Sequence, residues 1–541
     1  MSKKILPFLL AIPSFILVFF LKIIPALQTL MLSTKKYNIA KGLPGSPSAG
    51  LEHHAELARS AVFPRMLINT ATLSILSILF TCILALLLIL CISSMPNRII
   101  KNAAIIIISI PAFLPITAYA GIFIRALSSS GLMNSIITSL GMEPVLFLAD
   151  KTLFSVIFAV MDALRNVFIP VIIGVLVCER EGFKFDSTLL VLLIYALVRA
   201  TLFMSPDMET LLLTTNPLVY ESTDVFDTVA YRTGLVQMQL SKSGAMWVIK
   251  SIAQLLINVV VFFILNGLFP KLKGMASTLS NRENKGTGSI LSVLGFILCA
   301  VGSIGIAFAA FFPFPKKLSG GSSTFEGIRI LLSNGMFQQA CFNSLILCII
   351  GSILYAFITL SLALPMMAST KIYPLLLVMV MSLSNNVTGE FIFYKTLGMS
   401  GTMFPVFLST ITVFGAFALH FTVSGRLGDE IPSLTDYLKA SLLPLSALVV
   451  LFFITSWGGF LQQLIHITNR RYFPLGMFGM DLLTGQASAA MNPGNANNPA
   501  EAIKAAFILL SSIVPVALGS LLIALNRFIP LSVFSAQARK N

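Results

Sequence analysis

Apolar runs of about 20 residues, enough for a helix to cross a bilayer, recur along this chain between short polar stretches. Twelve spans are predicted, the first six near 5–27, 70–93, 102–126, 153–177, 187–204 and 245–269. The second six lie near 288–313, 340–368, 372–394, 403–424, 437–460 and 502–526. The expected fold class is all-α, a polytopic membrane protein. An even number of spans puts both ends on one side. Lys3 and Lys4 at the start and Arg539 and Lys540 at the end place that side in the cytoplasm. The apolar run after Lys4 is longer than a signal-peptide core and no A-x-A site follows, so the first span is expected to be retained.

The polar stretch PKLKGMASTLSNRENKG parts the spans into two sets of six, giving a first half over 1–269, a cytoplasmic linker over 270–286 and a second half over 287–541. Asn69-Thr70 opens the second span as Asn343-Ser344 opens the eighth. Leu140-Gly141-Met142 follows the third span as Leu397-Gly398-Met399 follows the ninth. Similar offsets between these anchors point to a duplication, and repeats of this kind pack about a pseudo-twofold axis with a transport route between them. Pro13, Pro111, Pro115, Pro170, Pro365, Pro444 and Pro515 interrupt spans, each removing a helix hydrogen bond. Static kinks and a bending bundle both fit them.

Composition sharpens the class. Of 541 residues 56% are hydrophobic and only 11% charged, against about 25% charged in soluble domains. A net charge of +15 in a soluble chain would suggest nucleic acid. Here Lys and Arg flank spans and meet anionic headgroups, and no basic run with interleaved aromatics occurs, so the bilayer is the expected partner and nucleic acid is not. Cys82, Cys91, Cys178, Cys299, Cys341 and Cys348 all lie in or beside apolar runs without a C-x-x-C pair, as small hydrophobes do. The four histidines form no H-E-x-x-H motif. No G-x-x-x-x-G-K-[ST] loop is present, so the chain is not expected to be an enzyme, to bind a cofactor or metal, or to hydrolyse ATP itself.

Ionisable and polar groups inside spans are the candidate chemistry. Asp162 and Arg165 stand three apart in the fourth span beside Asn166, fitting either a neutralising pair or the lining of a polar cavity. Asn385, Asn386, Thr388 and Glu390 cluster in the ninth span. They offer the donors and acceptors that sugar hydroxyls need, or hydrogen bonds between helices. Trp457 suits stacking on a sugar ring or anchoring at the interface. Arg199 and Lys250 are expected to snorkel from span ends. Asn216 to Leu235 forms a polar, acidic island whose charges, with Glu209 upstream, are expected to lie exposed outside the hydrocarbon.

That island, with N-P-L-V-Y-E followed by D-x-x-D-T-x-x-Y-R-x-G-L, resembles the loop before the last span of bacterial ABC-type permeases for oligosaccharides and polysaccharide fragments. The first half, through Asn69 to Leu90 and Ser139 to Asp150, is similar to one subunit of such a permease pair. The second half is similar to its partner at Trp457, Tyr472 to Leu475 and Asn498 to Glu501. The resemblance implies a fused permease in a bacterial cytoplasmic membrane, working by alternating access with cytoplasmic ABC ATPase subunits and an extracytoplasmic solute-binding protein. It implies binding-protein docking through Tyr220, Glu221, Asp224, Asp227, Tyr231 and Arg232.

The resemblance also implies a cytoplasmic E-A-A-x-x-x-G loop that grips each ATPase, and here this chain departs from the pattern. Cys178 to Asp186 is too short for a coupling helix. Ser424 to Pro444 lacks the E-A-A triplet and carries Ile431 where the glycine belongs. Asp429, Glu430, Tyr437 and Leu438 are the candidates for a remaining docking turn. The alternative is a coupling-deficient relative, a membrane scaffold or sensor for a binding protein.

Overall fold

The computed structural model describes residues 5–129, 131–181, 183–277, 324–369, 372–409, 412–427, 431–484 and 500–528. The protein is an all-α polytopic membrane protein. Among the described residues, eight helices are long and apolar enough to cross a membrane, or nine if one bent pair counts as a span. The expected seventh span at 288–313 lies outside the described residues.

The first span, α1 (Leu6–Ser33), is continuous through Pro13 with a π-helical stretch at Phe19–Ile23. A loop pinned by a Lys35–Ser48 bridge and the short helix α2 (Glu52–Arg59) lead to α3 (Val62–Ser93). The third run breaks into α4 (Arg98–Phe113) and α5 (Ile116–Leu127), because Pro115 forces Leu114 into an extended conformation. After α6 (Leu132–Ser139), the fourth run is α7 (Lys151–Asn166) and α8 (Phe168–Glu181), bent by 48° next to Pro170. Helix α9 (Phe185–Ala200) follows directly. Then come α10 (Met208–Thr214), α11 (Phe226–Tyr231) and the long α12 (Leu240–Ser277).

Beyond the undescribed segment lie α13 (Thr324–Ser333) and α14 (Gly335–Ala363). The expected span at 372–394 is two helices, α15 (Ile372–Met381) and α16 (Val387–Thr396). Asn385 sits between them in the left-handed region at φ +53°, a conformation asparagine tolerates better than most residues, and Asn386 then caps α16 by accepting from Gly389 N at 3.1 Å. The chain continues as α17 (Phe404–Ser409), α18 (Phe414–Leu427), α19 (Leu434–Gly458), α20 (Leu461–His466), α21 (Leu475–Leu483) and α22 (Ala500–Phe528).

The segments before and after residues 278–323 interlock. Helix α1 packs on α14 and α16, while α22 packs on α4 and α5. Large apolar side chains such as Ile68, Leu256 and Ile353 point outward, as a lipid-facing surface requires. Where helices meet, small residues let backbones approach. At Gly389 any side chain would run into Thr29 of α1.

Candidate functional site

The polar residues singled out in the sequence gather in three places. In the first, Asp162 of α7 accepts from Arg199 of α9 at 2.7 Å and from Asn166 at 3.0 Å. Of the two readings open for Asp162, a neutralising pair does form, but between helices with Arg199 rather than within α7 with Arg165. Arg199 does not snorkel, because a buried carboxylate offers it more than the interface does. Arg165 turns to α5, its guanidinium 5.8 Å from the Tyr119 ring centroid, and its Nη1 is buried without a hydrogen-bond partner among the described residues. Asp162 and Arg199 line a small cleft with Ser74, Phe158, Ser205 and Asp207.

The second place is the acidic island, which is folded rather than a solvated loop. Asn216 caps a 3-10 turn at Pro217–Val219, a short helix Tyr220–Thr223 follows, and then α11. Glu221 is exposed and pairs with Lys151, whose hydrogen bond holds the carboxyl below the usual carboxylate range. Asp224 pairs with Arg232, whose guanidinium lies 3.9 Å over the Tyr220 ring. Asp227 is buried and accepts from Lys250 at 2.6 Å. Asp224 and Asp227 are thus inside, contrary to the expectation of exposed charges, because each has a cation to neutralise it. Tyr231 is half-buried. Asn69 of α3 holds the island in place, donating to the carbonyls of Glu221 at 3.0 Å and Asp224 at 3.2 Å.

The third place is the 385–390 cluster, every member of which reaches back to the first part of the chain. Asn385 donates to Asp227 at 3.2 Å, and Asn386 accepts from Thr29 at 2.9 Å. Thr388 shares a 2.6 Å hydrogen bond with Ser243, and Glu390 pairs with Lys22 at 2.9 Å. Lys250, expected to snorkel, reaches Asp227, Ser205 and the Ser384 carbonyl. Sequence reasoning missed Lys22, Thr29 and Ser243. For Lys22 the signal was available: a lysine inside an apolar run needs a buried partner or a route to water.

Trp457 is buried. Its indole donates to the Ser511 carbonyl at 3.0 Å and its ring stacks on Phe453. Just beyond it, Glu209 accepts from the backbone N–H groups of Phe460 and Leu461, both at 2.8 Å, capping α20 from the other part of the chain. The second part repeats the Asn69 arrangement. Asn343 donates to the carbonyls of Arg471 at 2.9 Å and Phe473 at 3.1 Å, and Ser344 accepts from Leu475 N at 2.7 Å.

Of the coupling candidates, Asp429 and Glu430 lie outside the described residues. Tyr437 is buried in an apolar cluster within the unbroken α19, its hydroxyl donating to the Leu360 carbonyl at 2.9 Å, and so has no free face for a partner. Leu438 is exposed. Helices α8 and α9 are joined by residues 182–184 alone. Among the described residues no cluster of three or more His, Cys, Asp or Glu is placed to hold a metal.

No family model matches the chain. Over 274 residues it is 25% identical to Protein LplB of Bacillus subtilis (strain 168), covering 46% of this chain and 85% of that relative. It is also similar to a bacterial alginate ABC transporter in complex with an alginate pentasaccharide-bound periplasmic protein, at 24% identity and a TM-score of 0.36, over 41% of this chain and 83% of that one. A bacterial ABC transporter involved in the import of the acidic polysaccharide alginate is similar at 22% identity and a TM-score of 0.42, over 49% of this chain and 96% of that one.

Proposed function

We propose that this chain is the transmembrane permease component of an ABC-type importer for oligosaccharides or polysaccharide fragments, set in a bacterial cytoplasmic membrane with both termini inside. In this reading residues 1–269 and 287–541 are two fused permease halves joined by a linker at 270–286, and a solute passes between them by alternating access. A separate cytoplasmic ATPase supplies the energy and an extracytoplasmic binding protein delivers the solute.

The observation that carries the reading is the repeated clamp. Asn69 and Asn343 sit at matching places near the starts of α3 and α14, and each donates to two carbonyls of the segment that follows a later span of its own part. The island clamped by Asn69 is the one whose sequence resembles the permease family. A relative that aligns along most of its own length with under half of this chain fits one half of a fusion. Exposed Pro217, Leu218 and Glu221 are the part of that island best placed to meet a binding protein. Arg165 and Asn166, beside the Asp162–Arg199 pair, are the leading candidates for the solute path.

A second reading, a coupling-deficient relative that serves as a scaffold or sensor, draws support from the few residues of sequence between α8 and α9 and from the burial of Tyr437. Both leave little backbone for an ATPase to grip. Co-expression with the ATPase and binding protein of the same cell separates the two readings. Stimulation of ATP hydrolysis by loaded binding protein in proteoliposomes is the expected result. Capture of the binding protein without any ATPase would favour the scaffold.

A further inference from the structure

One buried group of ionisable side chains joins three separate segments and is only half satisfied. Lys22 of α1 donates to Glu390 Oε1 of α16 at 2.9 Å, yet the second carboxylate oxygen, Oε2, is buried with no hydrogen-bond partner among the described residues. His466, the last residue of α20, is 2% exposed, and neither of its ring nitrogens has a partner there either. Its ring meets Tyr394 of α16 edge-on at 5.0 Å, and its backbone carbonyl accepts from Gly401 N at 2.9 Å.

The charged surroundings of this imidazole come from few elements. Helix α16 brings Glu390 and Tyr394, while its Lys395 is exposed with its amine 5.7 Å from the Phe391 ring centroid. The first span brings Lys22. Helix α17, also packed on α20, carries no titratable residue. At the far end of α20, Glu209 holds the backbone of Phe460 and Leu461. An imidazole with two unpaired nitrogens is a costly thing to bury, and one that gains from leaving.

We propose that His466 is a proton-binding site that releases α20 from its seat against α16 when its compartment turns acidic. Burial holds the imidazole down at about 4, with Lys22 acting in the same direction and Glu390 against it. Once α20 lifts into water, the ring regains an ordinary value near 6.5. The released state therefore binds the extra proton between about pH 6.5 and 4. The seated state is favoured above that window and loses ground on acidification through it, by up to about tenfold in the opening equilibrium per pH unit.

Hydrogen–deuterium exchange on the full chain in nanodiscs tests this, with rates corrected for the intrinsic effect of pH. Peptides covering 460–467 should exchange about fivefold faster at pH 5.5 than at 6.5, while peptides from α14 should not change. His466→Gln should abolish that response, with His466→Asn as the substitute if glutamine disturbs packing. A flat profile in the unmodified chain, or an unchanged response in the substituted one, would overturn the proposal.

Discussion

Lys250 of α12 donates to Asp227 of α11 across 2.6 Å, and both side chains are all but excluded from solvent. Asn385 from the second part of the chain completes the carboxylate, and Ser205 and the Ser384 carbonyl complete the ammonium. Removing one partner leaves a buried charge with nothing to oppose it, which costs about 3–5 kcal/mol. Lys250→Met and Asp227→Asn should each lower the midpoint of thermal unfolding in detergent. The double variant Lys250→Met with Asp227→Leu should recover most of the loss, since the neutral pair carries no desolvation penalty. A double variant worse than either single one would mean that the polar network, not charge balance, holds this junction.

The asparagine clamps predict a local signature. Each of Asn69→Ala and Asn343→Ala removes two hydrogen bonds to backbone carbonyls. At the magnitudes typical of such bonds the loss is about 1–3 kcal/mol. Limited proteolysis should report it in different places, near 221–225 for Asn69→Ala and near 470–475 for Asn343→Ala. Cleavage patterns altered everywhere by both would argue against separate clamps.

These clamps and ion pairs mark the limit of what the sequence disclosed. The all-α membrane class was legible because a bilayer admits only satisfied backbone, but of the twelve expected spans eight or nine helices qualify among the described residues. The breaks were partly legible: Pro115 and Pro170 announce them, but Asn385 does so only through its left-handed conformation. Partnerships were not legible. Asp162 has Arg165 three residues away and chooses Arg199 instead, because the geometry that sets the choice is a contact between α7 and α9. Glu390 and Asp227 likewise take their cations from distant segments. Single-chain periodicity records which face of a helix is polar, not what it meets.

Glu209 supplies the N-terminal cap of a helix more than two hundred residues away. Its Oε1 accepts from both Phe460 N and Leu461 N at 2.8 Å. Substituting a capping side chain by alanine costs roughly 0.5–2 kcal/mol. Glu209→Ala should therefore raise exchange at Phe460 and Leu461 at neutral pH, without changing protection in α3. The Gln variant keeps an acceptor and should fall between the two. Equal exchange in all three proteins would show that packing alone seats α20.

Tyr437 and Leu438 are adjacent and should behave oppositely. Tyr437 fills an apolar cluster with Ile358, Leu362, Tyr373 and Leu419, and its hydroxyl satisfies the Leu360 carbonyl. Tyr437→Phe forfeits that hydrogen bond alone, about 1 kcal/mol, whereas Tyr437→Asp drives an unpaired carboxylate into the cluster and should eliminate folded protein from membranes. Leu438 stands on the exposed face of α19, 44% accessible. Leu438→Asp should leave membrane abundance unchanged if that face meets water or a partner protein, and should reduce it if the face meets lipid, where a carboxylate costs several kcal/mol. Immunoblotting of membrane fractions for the three variants reads this out directly. With normal abundance, Leu438→Asp tests the proposed ATPase contact at α19. Any loss of ATP-driven uptake could then be assigned to the contact rather than to folding, which is not possible for Tyr437.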